Sequence, residues 1–281
     1  MDTVSITIYT DPGCPFGFNA QRQEAQLLWH YGHALDVTRR MIVLREQSST
    51  YEAAGFSREM VAANSLRLRK LYGMPMLTEP GERLPSTRDA CRAYVGARMH
   101  DRDHADVLLR ALRRRFFSDG QGLDELETIR GAGAEAGISA DAIDAWLADD
   151  EVDAQLRSDM ADTRDPLPEA LSLSHRLSGG NGRRRYSTAS AVFRRGDDHF
   201  VMPGFQPFAV YEVAMANVAP DVERRDPPEN VELILEWATY PLATAEIAEL
   251  RGVGIEDARE ELERAGATFE AVAGDGYWSP R

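Results

Sequence analysis

Cys14 is the residue of this sequence with the clearest capacity for chemistry, because a thiol at the start of a helix can act as a nucleophile. It stands in the segment DPGCPFG, after an alternating apolar run and before a helical pattern. The free backbone N–H groups and the positive end of a helix dipole favour thiolate over thiol. Pro15 suits a first helical turn, and Phe16 offers an apolar surface beside the sulfur. The segment therefore predicts a nucleophilic thiol at position 14.

The patterns on either side of Cys14 predict a βαβ unit. Residues 4–9 alternate and contain β-branched side chains, and residues 10–13, TDPG, form a turn that ends the strand. Apolar residues then recur at helical spacing over residues 15–30. Residues 34–44 have the character of a second strand, parallel to the first and joined to it by a right-handed crossover. Cys14 therefore lies at a strand-to-helix turn.

The middle of the chain shows helical periodicity, and the segment after it returns to strands. The predicted helices of the middle block cover residues 57–72, 86–100, 105–117, 122–131, 139–149 and 153–162. Residues 187–194 and 199–201 then predict a hairpin, and residues 207–217 a helix. The order βαβ, helical block, ββα is that of a thioredoxin fold with a helical domain between its halves. The predicted fold class is therefore α/β.

This order of elements divides the chain into three regions. They are a split thioredoxin-fold domain at residues 1–55 and 183–222, an inserted α-helical domain at 56–182, and a small C-terminal helical, winged-helix-like appendage at 223–281. The helices of the appendage are rich in acidic residues, which is the wrong sign for helices that recognise nucleic acid. We interpret the appendage as a packing element, with Trp237 and Trp278 as its anchors.

Three strings give the chain a resemblance to a known family. They are DPGCPFG at residues 11–17, LPSTRDACRAY at 84–94 and YSTASAVFRRGDDHFVMPGFQP at 186–207. On these residues the chain resembles the DsbA-like branch of the thioredoxin superfamily, in particular its FrnE-like members with a long helical insertion. The resemblance implies thiol–disulfide or thiol-transfer chemistry with Cys14 as the nucleophile.

The chain departs from the pattern of this family at two positions. Dithiol members carry a second cysteine where Gly17 stands, so an internal disulfide to Cys14 by the usual route is impossible. Members also place a cis-proline where this chain has Ala189. Because a cis bond before another residue costs about 3 kcal/mol, we expect the Thr188–Ala189 bond to be trans or the loop to be reshaped. The residues expected to bind the thiol or the substrate are Asp11, Pro12, Pro15, Phe16, Gly17, Thr188, Ala189 and Gln206.

Cys91 is the other cysteine of the chain, and it allows two interpretations. It could resolve a mixed disulfide on Cys14 if the two Cα atoms lie within roughly 7 Å. Alternatively, it is a small buried apolar residue, as free cysteines commonly are. Two distant cysteines exclude a multi-bridge disulfide framework and a zinc site built of cysteines. A single working thiol would then require an external low-molecular-weight thiol as co-substrate.

Three further features combine a possible ligand with a simpler interpretation. His100 and His104 are spaced to share one helical face beside aspartates, but no third metal ligand is visible, so we expect a solvated helix end. The stretch SGGNGRRR at 178–185 could bind an acidic thiol through its arginines, or form a flexible loop. Gln206 could bind a substrate amide or cap the following helix. We therefore expect no metal and no bound cofactor.

Composition and charge exclude several classes of protein. The formal net charge of −14 opposes binding to nucleic acid and to anionic membranes. No apolar run approaches the roughly 18 residues of a membrane-spanning helix. The N-terminus has no secretory signal pattern, so we expect a cytoplasmic protein that is a monomer or homodimer.

Three functions remain open on this basis. The first is a DsbA/FrnE-like thiol oxidoreductase or thiol transferase that uses Cys14 and an external thiol. The second is a thiol-dependent isomerase or transferase acting on aromatic or polyketide-like small molecules, which an apolar cleft between the helical block and the sheet would favour. The third is a non-catalytic binding module, which Gly17 and Ala189 would favour.

Overall fold

A four-stranded sheet forms the centre of the protein. The computed structural model describes residues 3–48, 57–79, 81, 83–179 and 183–281. The strand order is β2-β1-β3-β4, with β1 parallel to β2 and antiparallel to β3, and with β3 and β4 paired as a hairpin. The strands are β1 (Val4–Thr10), β2 (Leu35–Met41), β3 (Ser190–Arg195) and β4 (Asp198–Met202). This sheet confirms the predicted βαβ and ββα halves.

The helices beside the sheet cover its apolar face and carry the segment that follows Cys14. They are α1 (Pro15–Asn19), α2 (Gln21–Tyr31) and, at the end of the second half, α10 (Phe208–Val218). The prediction of a single helix over 15–30 was wrong, because the helix is interrupted at Ala20. There Asn19 Nδ2 donates to the carbonyl of Pro15 at 2.8 Å, and Gln21 Nε2 donates to that of Phe18 at 3.0 Å. These side chains hydrogen-bond to carbonyl groups of α1 and so compete with backbone N–H groups for them.

The strand β2 is shorter than the sequence indicated, since it ends at Met41 rather than at residue 44. The N–H of Met41 donates to Asp159 at 3.0 Å and that of Leu44 to Asp11 at 2.7 Å. The Asp159 carboxylate therefore satisfies the outward N–H of the last residue of β2, and Asp11 takes a donor beyond the end of the strand.

The inserted block is helical, as predicted, and it packs against β2 through its last long helix. Its helices are α3 (Arg58–Tyr72), α4 (Arg88–His100), α5 (Arg102–Phe117), α6 (Leu126–Glu135), α7 (Ala140–Ala148), α8 (Asp150–Thr163) and the short α9 (Pro168–Ser172). Helices α4 to α8 share a core made of small and aliphatic side chains together with Tyr94 and Trp146. The sequence patterns did not indicate α9.

The expectation that His100 and His104 share one helical face was wrong. Helix α4 ends at His100 and α5 begins at Arg102, with Asp101 between them. His104 Nδ1 lies 2.7 Å from Asp101 Oδ1. The two histidines therefore lie on either side of a polar junction between two helices. Within the described ranges, no three side chains of the His, Cys, Asp and Glu types are grouped as a metal site would need.

The C-terminal region combines helices with a small sheet of order β5-β7-β6. Its elements are α11 (Val231–Trp237), β5 (Leu242–Ala243), α12 (Thr244–Arg251), α13 (Ile255–Arg264), β6 (Thr268–Val272) and β7 (Asp275–Ser279). Trp278 is buried in a core that includes Trp29 of α2, and Trp237 meets Trp29 edge-on at 5.4 Å between ring centroids. The region is thus packed onto the thioredoxin half through both predicted anchors.

No helix in the described part of the chain is both long enough and apolar enough to cross a bilayer.

Candidate active site

Asp11 organises the turn that presents Cys14. Its side chain is buried, and it accepts hydrogen bonds from the N–H of Gly13 at 2.7 Å, the N–H of Leu44 at 2.7 Å and the hydroxyl of Thr87 at 2.9 Å. These donors belong to the Cys14 turn, the exit of β2 and the start of α4. One carboxylate therefore ties three separate segments together, and the N–H of Cys14 completes the turn by donating to the Asp11 carbonyl at 3.2 Å.

Cys14 is the residue that immediately precedes helix α1, at its N-cap position, and 6% of its surface is exposed. Burial raises the pKa of its thiol, and Asp11 adds to that rise. Hydrogen bonds from the Thr188 side chain and from the backbone N–H groups of Gly17 and Phe16 lower the pKa, but burial outweighs them. The expectation from the helix end alone was therefore incomplete, because α1 has only five residues and the thiol is almost fully desolvated.

Thr188 faces the sulfur from a loop whose peptide geometry differs from the expectation. The Thr188–Ala189 bond is cis, so the prediction of a trans bond was wrong. The local preference for trans does not decide the geometry here, because the loop is held by other contacts: Ser190 N donates to Ser187 O at 2.9 Å, and Gly204 N to Ser190 Oγ at 2.7 Å. The Thr188 Oγ1 atom is buried and has no hydrogen-bond partner in the structure, and its nearness to Cys14 lowers the pKa of that thiol.

A cleft of about 1400 Å³ opens above Cys14, between the thioredoxin half and the helical block. Of the predicted site residues, Pro15, Phe16 and Thr188 line it together with Cys14, and their binding of a substrate stays a prediction. Much of the remaining wall is apolar, and it includes Met60, Val61, Leu77, Leu84, Phe116, Phe117 and Phe205. The volume of the cleft is larger than that of most small-molecule pockets, which is usually about 300–1,000 Å³.

The other predicted site residues do not line this cleft. Asp11, Pro12, Gly17 and Ala189 are buried behind Cys14, where they shape the turn and the facing loop. Gln206 Nε2 donates to the carbonyl of Pro203 at 2.9 Å and so closes its own turn just before helix α10.

The arginine-rich loop partly reaches the cleft. Ser178 and Arg185, at its two ends, line the wall, and so do His175 and Arg176 immediately before it. Residues 180–182 lie outside the described residues. The position agrees with the idea that this loop meets an acidic ligand, which stays a prediction.

Two buried arginines beside the Cys14 turn were missed by sequence reasoning. Arg45 follows β2, is 2% exposed and donates through Nε to the carbonyl of Pro85 at 2.6 Å. A Cβ at position 13 would overlap its guanidinium, so Gly13 leaves the room that Arg45 occupies. Arg113 on α5 is 1% exposed and donates to Thr10 Oγ1 at 2.6 Å. Arginine in an amphipathic pattern carries no signal of burial, so neither could be recognised.

Cys91 is fully buried and lies on the far side of Asp11, with its Sγ 3.6 Å from Asp11 Oδ2. Burial and the neighbouring carboxylate raise the pKa of its thiol well above the ordinary value. Both cysteines are free thiols, and Cys91 does not line the cleft. These facts favour the interpretation of Cys91 as a buried packing residue.

The raised pKa of Cys14 leads to a testable pH dependence. Because burial moves the pKa above the ordinary value of 9.0, the thiolate fraction should increase about tenfold per pH unit between about pH 6 and 8.5. We expect the rate of alkylation by iodoacetamide to follow that slope. The measurement uses a Cys91→Ser variant, so that one thiol reports, and a rate that levels off near neutral pH would contradict the dominance of burial.

The sequence matches the family model for the DSBA-like thioredoxin domain over residues 5–165, which is more than half of the chain. This match, the thioredoxin-like sheet and the cysteine at its first strand-to-helix turn define the class of the protein. The chain belongs to the DSBA-like thioredoxin family.

Solved structures share this fold at low sequence identity. A candidate protein disulfide isomerase from Nitrosomonas europaea is similar with a TM-score of 0.59 and 14% identity, covering 76% of this chain and 96% of that one. The cytosolic disulfide reductase DsbM from Pseudomonas aeruginosa is similar with a TM-score of 0.53 and 17% identity, covering 74% and 97%. A sequence search of curated proteins returns no significant match.

Proposed function

We propose that this protein is a thiol oxidoreductase or thiol transferase that uses Cys14 as its single nucleophile and an external thiol to complete the reaction. The observation that carries the proposal is that Cys14 is the cysteine at the cleft, while Gly17 follows at the place of a second active-site cysteine and Cys91 is buried elsewhere. A reaction confined to one thiol needs a second thiol from solution.

The reaction has two balanced steps. Cys14 sulfur attacks one sulfur of a substrate disulfide, the S–S bond breaks, and the departing thiolate takes up the proton that Cys14 has lost. A small thiol then attacks the mixed disulfide on Cys14, forms a new disulfide with the bound half of the substrate, and returns the electron pair and a proton to Cys14. Overall, one disulfide and one small thiol are exchanged for a released thiol and a new disulfide, and the protein is unchanged; a second small thiol that attacks this new disulfide would complete the reduction.

The residues around Cys14 support these steps in different ways. Thr188 and the N–H groups of Phe16 and Gly17 offer hydrogen bonds to the developing thiolate. Phe16 and Phe205, whose ring centroids are 5.9 Å apart, form an apolar wall for the organic part of a substrate.

The substrate we propose is a small anionic thiol or disulfide of the glutathione kind. Arg45, Arg176 and Arg185 line a cleft on a chain whose net charge is −14, so the cleft concentrates the positive charge that such a ligand needs. DsbM, which shares the fold, has been solved with GSH. Small thiols are kept reduced in the cytoplasm, and we propose that the protein works there. We also propose that it is a FrnE-like member of the family.

Trapping of the mixed disulfide tests the proposal. We expect the Cys91→Ser protein, incubated with glutathione disulfide at about pH 8, to gain one glutathionyl group by mass spectrometry and to lose it when free glutathione is added. The matched control is Cys14→Ser in the same background, which should gain nothing. A folded Cys91→Ser protein that forms no adduct would overturn the proposed nucleophile.

A second candidate is a thiol-dependent isomerase or transferase for aromatic or polyketide-like molecules, and the apolar walls of the large cleft favour it. In that reaction Cys14 would hold no covalent adduct, and a bound thiol cofactor would do the chemistry. Turnover of such a substrate that needs glutathione but survives Cys14→Ser would select this candidate. A ligand that binds with equal affinity to both proteins and is not converted would indicate a binding module.

A further inference from the structure

The space beside Gly17 is bordered by a buried cation. A Cβ at position 17 would lie 3.0 Å from Thr10 Oγ1, 3.0 Å from a Thr188 methyl carbon and 3.2 Å from the NH2 nitrogen of Arg113. Gly17 is three residues after Cys14, and both its backbone and Thr188 act on the Cys14 thiol, so the guanidinium borders the atoms that surround the sulfur. The absence of a side chain at Gly17 leaves room for this approach.

Arg113 has few partners for a buried charge. Its NH2 donates to Thr10 Oγ1 at 2.6 Å, whereas its buried Nε atom has no hydrogen-bond partner. None of the ion pairs found among the described residues includes Arg113. The carboxylate that most strongly supports the charge of Arg113 is Glu24, which is already paired with Arg39 at 2.7 Å.

A buried cation without a direct counter-ion is costly, and the cost falls when an anion forms nearby. Cys14 acts electrostatically on Arg113 and favours its charged form. The interaction is reciprocal, so the charge of Arg113 must favour the ionised form of Cys14. We infer that Arg113 is a positioning residue that stabilises the thiolate of Cys14 from the side of Gly17. The inference deepens the proposed function, since it concerns the same nucleophile.

The other charged groups around this pair act in known directions. Asp11, on the Cys14 turn, disfavours the thiolate. Glu24 on α2 supports the charge of Arg113, while Arg39 on β2 and Arg110 on α5 oppose it. Arg45 approaches from the side of Gly13 and is also positive. Arg113 is the guanidinium group that interacts electrostatically with this thiol, against the effects of burial and Asp11.

The test measures the thiol itself and not the reaction with a disulfide. In the Cys91→Ser background, we expect Arg113→Met to slow the alkylation of Cys14 by neutral iodoacetamide about tenfold at about pH 8, and to shift the thiolate absorbance titration upwards by about one pH unit. Arg113→Lys, which keeps the charge, should stay within about threefold of the parent rate. Arg114→Met removes the same charge from the next position, where the side chain pairs with the exposed Glu270, and should leave the rate unchanged.

Two controls keep the outcome decisive. Circular dichroism and thermal unfolding show whether each variant folds, and Arg113→Gln, which removes the charge but keeps a donor for Thr10, replaces Arg113→Met if that variant does not. A folded, uncharged variant that titrates and reacts like the parent would overturn the inference. The proposed function would still hold in that case if the parent protein forms the mixed disulfide. If the Cys14 titration shifts in the Arg113 variants but the parent forms no mixed disulfide, only the proposed function is contradicted.

Discussion

Replacing Asp11 with alanine is expected to lower the free energy of unfolding by about 4 kcal/mol, because three strong hydrogen-bond donors and the weaker Cys91 thiol lose their acceptor at once. The donors are the N–H groups of Gly13 and Leu44 and the hydroxyl of Thr87. Since they come from three segments, the loss also frees the Cys14 turn. Urea denaturation measures the first effect, and faster alkylation of Cys14 relative to the parent measures the second.

Two matched variants separate the role of Asp11 from that of any aspartate. Asp11→Asn keeps the shape but turns an N–H group towards a donor, so we expect an intermediate loss of about 2 kcal/mol. Asp221→Ala removes an exposed partner of Arg195 and should leave the denaturation midpoint close to that of the parent. A parent-like denaturation midpoint for Asp11→Ala would show that the turn does not depend on this carboxylate.

Glu246→Ala is expected to cost about 3–5 kcal/mol, because it leaves a buried arginine without its counter-ion. Glu246 is fully buried on α12 and receives both NH1 and NH2 of Arg110 at 2.8 Å, while the N–H of Ala243 donates to it at 2.9 Å. Arg110 also lies over the ring of Tyr240, 3.9 Å from its centroid. This pair joins the C-terminal region to the inserted helical block, so its loss should destabilise the contact between them.

The double variant Arg110→Met with Glu246→Leu identifies the cause of that loss. If the cost arises from an unpaired buried charge, the double variant should recover most of the stability lost in Glu246→Ala. Glu261→Ala breaks a half-exposed pair with Arg251 in the same region and should cost less than about 1 kcal/mol. Equal losses in Glu246→Ala and Glu261→Ala would contradict the argument.

The local patterns of the sequence were sufficient for most elements. Helices α3 and α10 begin and end within a residue of the predicted bounds, and in α3 Ser57 caps the start while Gly73 ends the helix with a φ of 71°. Cys14 follows the first strand and opens the first helix, as predicted. These features depend on neighbours a few residues away, which the sequence displays directly.

The features that were missed depend on contacts between distant residues. Arg113 and Thr10 are 103 residues apart, and Asp11 and Thr87 are 76 residues apart. The cis geometry at Thr188–Ala189 belongs to a loop held by Ser190 and Gly204, and no local preference indicates it. A hydrophobic pattern with a period of two or of 3.6 residues reports on neighbouring residues only, so it carries no information about such distant pairs.

The sequence by itself determined the order of strands and helices and the position of a thiol at a strand-to-helix turn, because these are properties of composition and spacing. Its resemblance to the DsbA-like family marked Gly17 as the place where dithiol members carry a second cysteine. Only the tertiary structure decided that the thiol is almost fully buried, that Asp11 faces inwards as an anchor, and that Arg113 lies beside Gly17. Burial and charge–charge distances set the reactivity of a thiol, and both arise only when segments far apart in the chain pack together.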